Sequence, residues 1–205
     1  MPAKTLILSK NDQHHPLEEL GERLMSWLAD VDAVAPVATH DYEALTELTQ
    51  VDLCILCATM DLLTPEQEAS VLDFVSGGGK LVAIHSATVI KPEREGFIDL
   101  VGGRFTHHSP YHEFPVRFVS PEHPVVAGVE PFSILDELYV LDRAPDGADI
   151  LATADWDDAA QPMIYTKRQG DGTMLYNALG HDQAAYDHPA FRQLVLQGID
   201  WILAV

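Results

Sequence analysis

Apolar residues along the first half of the chain fall into two alternating rhythms. Short, nearly unbroken apolar runs at Thr5–Ser9, Leu53–Ala58 and Lys80–Ile84 read as strands covered on both faces. Between them, apolar residues recur at helical spacing. Leu20, Leu24, Trp27 and Leu28 share one face of a helix over Leu17–Ala29, and Val71, Leu72 and Val75 mark a second helix. Thr64-Pro65-Glu66-Gln67 starts that second helix, with Thr64 as N-cap, Pro65 at the first helical position and Gln67 completing a capping box. Gly77-Gly78-Gly79 ends it. Val31–Val37 is a further strand, short or at an edge because Pro36 interrupts it, and Tyr42–Leu48 is a short helix. This alternation predicts an α/β fold with a mostly parallel, doubly wound sheet and helices on both faces. Ligands of such sheets bind beyond the carboxyl ends of the strands, here at the loops Asn11–His15, Ala58–Leu62 and His85–Thr88.

The second half is less regular and points to antiparallel additions. A histidine-rich loop, Thr106–His112, leads into a strand at Glu113–Val119. Ile134–Leu141 and Met163–Tyr165 are further strands, and Asp146–Asp149 is a turn. Gly170-Asp171-Gly172 turns the chain into the strand Thr173–Ala178, and a closing helix over Pro189–Leu203 carries Phe191, Leu194, Val195, Ile199 and Ile202 on one face. No repeat or interdomain linker breaks the chain, so one domain over residues 1–205 is expected.

Charge narrows the partners. Lys and Arg number 12 against 32 Asp and Glu, a formal net charge of −20. Such a surface repels nucleic acid and anionic membranes, so neither is expected as a partner, and the acidity reads as a solubilising surface. The N-terminus runs directly into a strand without a secretory leader, and a cytoplasmic location is expected. Cys54 and Cys57 form a C-x-x-C, but inside an apolar strand residues three apart point to opposite faces. They read as core residues rather than a redox or metal pair.

Ten histidines carry most of the candidate chemistry. His85 ends a buried strand at a strand-to-helix corner, where related architectures hold a nucleophile, although a histidine there is also compatible with a packed core. His181-Asp182 lies past another strand end. His107, His108 and His112 share one loop. Ser109-Pro110 argues against a helix there, yet His108 and His112 remain candidate ligands for a divalent metal, zinc or manganese. Asp136-Glu137 sits in an apolar run, either as acids on an edge strand facing water or as cleft carboxylates. His40, His123 and His188 read as structural. The glycine run at 77–79 precedes a strand rather than following one, so no nicotinamide cofactor is expected.

At this point the chain resembles a known family. Gly79–Ala87, Gly102–His108, His123-Pro124-Val125, Asp136–Tyr139 and Gly172–Asp182 resemble, in order, the motifs of the ThuA-like (trehalose utilisation) proteins, and Phe191–Trp201 is similar to their closing helix. The resemblance implies a flavodoxin-like core of the class I glutamine amidotransferase type. In glutaminases of that fold a cysteine occupies the position of His85, the catalytic histidine corresponds to His181, and the acid two residues later corresponds to Gln183. Glutamine hydrolysis through a thioester is therefore not expected. The resemblance implies a carbohydrate ligand and a role in sugar or keto-sugar use. Its candidate catalytic residues are His85, Glu137 and His181, and its candidate substrate contacts are His15, Ser86, His108 and Asp182. The alternative is a non-catalytic sugar-binding or regulatory module on the same fold, and the partner carried forward beside the carbohydrate is a second copy of the chain in a homo-oligomer.

Overall fold

The computed structural model describes residues 1–205. The chain opens with β1 (Ala3–Ser9), α1 (Leu17–Leu28) and β2 (Val34–Thr39), then returns across β1 to β3 (Leu53–Cys57), α2 (Pro65–Ser76) and β4 (Lys80–Ile84). After α3 (Glu95–Val101) come β5 (Phe105–His108), β6 (His112–Phe118), β7 (Phe132–Asp136) and β8 (Tyr139–Leu141). A meander of β9 (Ala148–Trp156), β10 (Ala159–Gln169) and β11 (Gly172–Asn177) leads to α4 (Gln183–Tyr186) and α5 (Pro189–Ala204).

Nine strands form one sheet in the order β2-β1-β3-β4-β11-β10-β9-β6-β7. The first five are mutually parallel, and the sheet continues antiparallel from β10 onward. Reversal of the order in which strands are added, β2 on one side of β1 and β3 on the other, creates a topological switch point between β1 and β3, the crevice where such folds bind ligands. β1, β3 and β4 owe their apolar runs to cover on both sides: α1, α4 and α5 pack together on one side of the sheet, α2 and α3 on the other. Cys54 and Cys57 alternate through β3 and are both fully buried and unpaired.

Several elements differ from the sequence reading, each for a physical reason. Tyr42–Leu48 is not an α-helix but two 3₁₀ turns, Tyr42–Thr46 and Leu48–Gln50. Ile134–Leu141 is not one strand: the chain breaks at Glu137-Leu138, because Asp136 turns inward to bind backbone N–H groups. The histidine loop is partly ordered, since β5 pairs with β8 as a separate two-stranded ribbon. β9 begins within the segment read as a turn, and its two-residue hairpin to β10 places Asp157 and Asp158 at positive φ, as a type I′ turn requires. Pro36 lies on the edge strand β2, as expected of a residue lacking an N–H.

The capping box of α2 is present in both directions, Thr64 Oγ1 accepting from Gln67 N and Gln67 Oε1 accepting from Thr64 N. Thr64→Ala should lower stability by about 1 kcal/mol, read from the shift of a urea denaturation midpoint. Gly172 is less forgiving. A Cβ there would stand 1.9 Å from the Val75 carbonyl oxygen and 2.5 Å from that of Gly79, where the end of α2 crosses β11. In the same assay Gly172→Ala should cost at least roughly 3 kcal/mol, the upper range for overpacking, because backbone cannot step aside as a side chain can. Wild-type stability in that variant would contradict the packing described.

Candidate functional site

β4 ends in the core, and the next residue, His85, takes φ 45°, a left-handed conformation that costs a non-glycine residue of order 1–3 kcal/mol. Hydrogen bonds hold it there. Nδ1 of His85 lies 2.7 Å from the carbonyl oxygen of Ala178, just past β11, and the carbonyl of His85 accepts from Tyr176 Oη at 2.9 Å. A carbonyl can only accept, so Nδ1 carries the proton. Nε2 is then a bare lone pair, fully buried and without a hydrogen-bond partner. Burial, and then the neighbouring imidazoles, push the His85 pKa well below the usual histidine range, so the ring is neutral.

His15 arrives from the loop after β1 in the same protonation pattern. Asp12 accepts from the backbone N–H groups of His14 and His15, and its carboxylate oxygens stand 2.9 and 2.8 Å from His15 Nδ1. That nitrogen donates to Asp12, so Nε2 accepts from Tyr139 Oη at 3.0 Å. Burial lowers the pKa of His15 despite the opposing pull of Asp12.

Glu137 and His181 come from the other half of the molecule, and Asp136 joins them. The Asp136 carboxylate is fully buried and accepts from three backbone N–H groups: Glu137 at 2.8 Å, Gly180 at 2.8 Å and His181 at 3.1 Å. Burial pushes its pKa up to about 7, while the three N–H groups pull the other way. This clasp fixes the turn after β11 against the end of β7. It leaves Glu137 Oε2 3.2 Å from His181 Nδ1 and 3.9 Å from His85 Nε2, with Oε1 3.5 Å from His108 Nδ1. The 3.2 Å contact is an ion pair lacking the alignment of a hydrogen bond, since His181 Nδ1 has no hydrogen-bond partner. Burial works against charge on both groups. Mutual attraction outweighs it, holding the Glu137 carboxyl below and the His181 imidazole above their ordinary ranges.

One donor atom each from His15, His85, Glu137 and His181 lies within 4.8 Å of all the others. The imidazole centroids of His15, His85 and His181 form a triangle with sides of 5.1 to 5.6 Å, roofed by Tyr139 at 3.9 Å from the His85 ring. The cluster sits at the carboxyl ends of β1, β4 and β11, and His108 flanks it on an exposed side, 41% accessible. A surface depression of about 1060 Å³ lies at the opposite end of the sheet beside Asp52, Gly78 and Lys80.

A family model for ThuA, trehalose utilisation, matches residues 4–202, almost the full chain. The chain belongs to the ThuA family. Solved structures agree on the fold. A ThuA-like protein from Parabacteroides merdae superposes with a TM-score of 0.84 at 22% identity, covering 99% of this chain and 90% of that one. A second, from Bacteroides uniformis, gives 0.83 at 18% identity over 98% and 91%. A cytoplasmic protein from Salmonella typhimurium gives 0.67 at 15% identity over 98% of each chain. No curated protein matches the sequence.

Against this ThuA frame, the residues singled out from sequence separate into groups. His15, His85, Glu137 and His181 converge, and His108 flanks them. Ser86 is fully buried with an unpartnered hydroxyl. Asp182 caps α4 through Ala184 N and accepts from Tyr111 Oη, so its carboxylate is already engaged. The donor set does not contain the His108–His112 pair: His112 Nδ1 faces the Pro110 carbonyl at 2.7 Å, and His108 Nδ1 the Ser109 carbonyl at 2.6 Å. The loop Ala58–Leu62 supplies no donor to the cluster. His40, His123 and His188 serve local structure, His188 as the N-cap of α5. Sequence reasoning missed the supporting roles of Asp12, Asp136 and Tyr139. Asp12 had a local signal, an Asp three residues before a His in a turn, and Asp136 had another, a carboxylate within an apolar run.

Replacing Asp136 by Leu strands three N–H groups in the interior, each worth about 1–3 kcal/mol when unsatisfied. Asp136→Leu should lose at least roughly 3 kcal/mol of folding stability in chemical denaturation, and Asp136→Asn, which keeps one carbonyl oxygen, should lose less. Equal stability of the two variants would count against the clasp.

Proposed function

We propose that this ThuA-family protein is a cytoplasmic enzyme that processes a sugar or keto-sugar of the trehalose type by acid/base chemistry at the His15–His85–Glu137–His181 cluster. One observation carries the reading: a half-buried carboxylate stands at the carboxyl ends of the sheet within 4 Å of three imidazoles. The family's description ties it to trehalose utilisation, and a carbohydrate offers hydroxyls and, once oxidised, a carbonyl for such groups to act on.

Roles follow from protonation state. Glu137, ionised, is the base that removes a proton from the carbon beside a sugar ketone or from a ring hydroxyl. His181, whose imidazolium the Glu137 carboxylate favours, supplies the positive charge facing the oxygen that becomes negative. His108, on the exposed side of Glu137, exchanges the proton with solvent. His85 presents a bare lone pair and the lone pair of His15 accepts from Tyr139 Oη, so neither ring has an N–H to polarise a carbonyl, and His85 is placed to accept from a hydroxyl.

The test is turnover of a 3-keto trehalose-type disaccharide by the purified full-length chain. Glu137→Gln should lower kcat by about 10²–10⁴, the span of general acid–base catalysis, with a folded protein by circular dichroism. Sugar that binds saturably to wild type without any turnover would instead make this chain a binding module.

A further inference from the structure

We infer that His15, His85, His181 and Glu137 together bind a divalent first-row transition metal ion. Three independent observations converge on a cation. The first is spacing: four donor atoms, three of imidazole nitrogen and one of carboxylate oxygen, lie within 4.8 Å of one another. Ligands about 2.0–2.2 Å from a shared ion stand roughly 3.3–3.6 Å apart in a tetrahedron and at most about 4.4 Å apart when opposite, so these donors close on an ion by drawing together by up to about an ångström.

The second is the supporting hydrogen bonds. Metal-bound histidine typically donates its other ring N–H to a carboxylate or a backbone carbonyl, which fixes both tautomer and ring plane. His15 does the first, through Asp12, and His85 the second, through the Ala178 carbonyl. Both rings thereby keep Nε2 unprotonated, that of His85 free and that of His15 accepting from Tyr139 Oη, a bond that an ion would replace.

The third is the unpaired lone pair. Nε2 of His85 is fully buried and has no hydrogen-bond partner, and His181 Nδ1 beside it is also buried without one. A buried polar atom normally finds a partner, and two such atoms flanking a carboxylate oxygen describe a coordination sphere. The left-handed backbone of His85 is what delivers its ring to this point.

Donor chemistry selects the ion. Three nitrogens favour zinc, iron, manganese or a neighbouring metal over magnesium or calcium, which prefer all-oxygen shells. Glu137 binds through Oε2, on the His85 and His181 side, and keeps Oε1, on the His108 side, for proton transfer. Four protein ligands leave positions free on a five- or six-coordinate ion. This inference rests on the sugar-enzyme reading above only for its use: the ion would take over from the His181 proton as the positive charge that polarises a substrate oxygen.

Untagged full-length protein, stripped with a chelator, is titrated with cobalt(II) alone and followed by visible d–d absorption, with zinc competition to give affinity. One equivalent per chain is expected. His85→Ala and His181→Ala should each weaken it at least about 100-fold, and Asp12→Asn about 10–100-fold, the usual loss for a supporting partner. His107→Ala, which removes an exposed imidazole outside the donor set, should leave it unchanged. Zinc should also raise the melting temperature of wild type and not of His181→Ala, a readout that stands if His85→Ala fails to fold. Absence of stoichiometric binding, or binding that survives His181→Ala and vanishes in His107→Ala, would overturn the inference. The titration contains no sugar. Stoichiometric metal without turnover would therefore remove the sugar-enzyme reading alone, and turnover by chelator-treated protein that binds no cobalt would remove the metal alone.

Discussion

The carboxylate of Asp136 gathers three backbone N–H groups from two distant parts of the chain, and the arrangement at the carboxyl ends of the strands depends on it. β7 is the outermost strand of the antiparallel half, while Gly180 and His181 follow β11 in the parallel half. No strand pairing joins these two places. A fully buried acid is costly, and here the cost is offset by hydrogen bonds that also satisfy the tight turn at Gly180, whose φ of 117° suits only glycine. Glu137 and His181 meet because their main chains are both fastened to this one side chain.

The outcome is a site with more acceptors than donors. The two deepest imidazoles give their N–H groups to Asp12 and Ala178, so what they present to each other is lone pairs. The corner that follows β4 holds His85 in a left-handed backbone conformation, which turns its imidazole out of the sheet toward the cluster.

Much of this was legible in the sequence, and the limits have physical causes. The parallel half is written in local patterns: apolar runs for β1, β3 and β4, helical spacing for α1, and a capping box at Thr64 for α2. His85, Glu137 and His181 were identifiable as candidates from strand ends and from ThuA motifs. The antiparallel half was less readable because a side chain overrode local propensity at Asp136, splitting one apolar run into β7 and β8. The partners of the cluster were hidden for a related reason. Asp136 acts on residues 44 and 45 positions away, and Tyr139 reaches His15 across 124, distances at which a single sequence carries no pairing signal. The donor atoms of His15, His85, Glu137 and His181 are brought together by four separate segments, a grouping that proximity in sequence does not reveal.

The two cysteines of β3 bear on the chemistry of the whole molecule in a different way. Neither sulfur is exposed, and burial raises the Cys54 thiol to about 12 and the Cys57 thiol further still. Thiolate is the species that reacts with oxidants and alkylating reagents. The native fold is therefore silent toward both, and a single cysteine introduced at an exposed position such as Glu122 would take up a maleimide dye without competition. Any labelling of the unmodified chain would report the opening of its central sheet, which turns Cys54 and Cys57 into built-in probes of global unfolding.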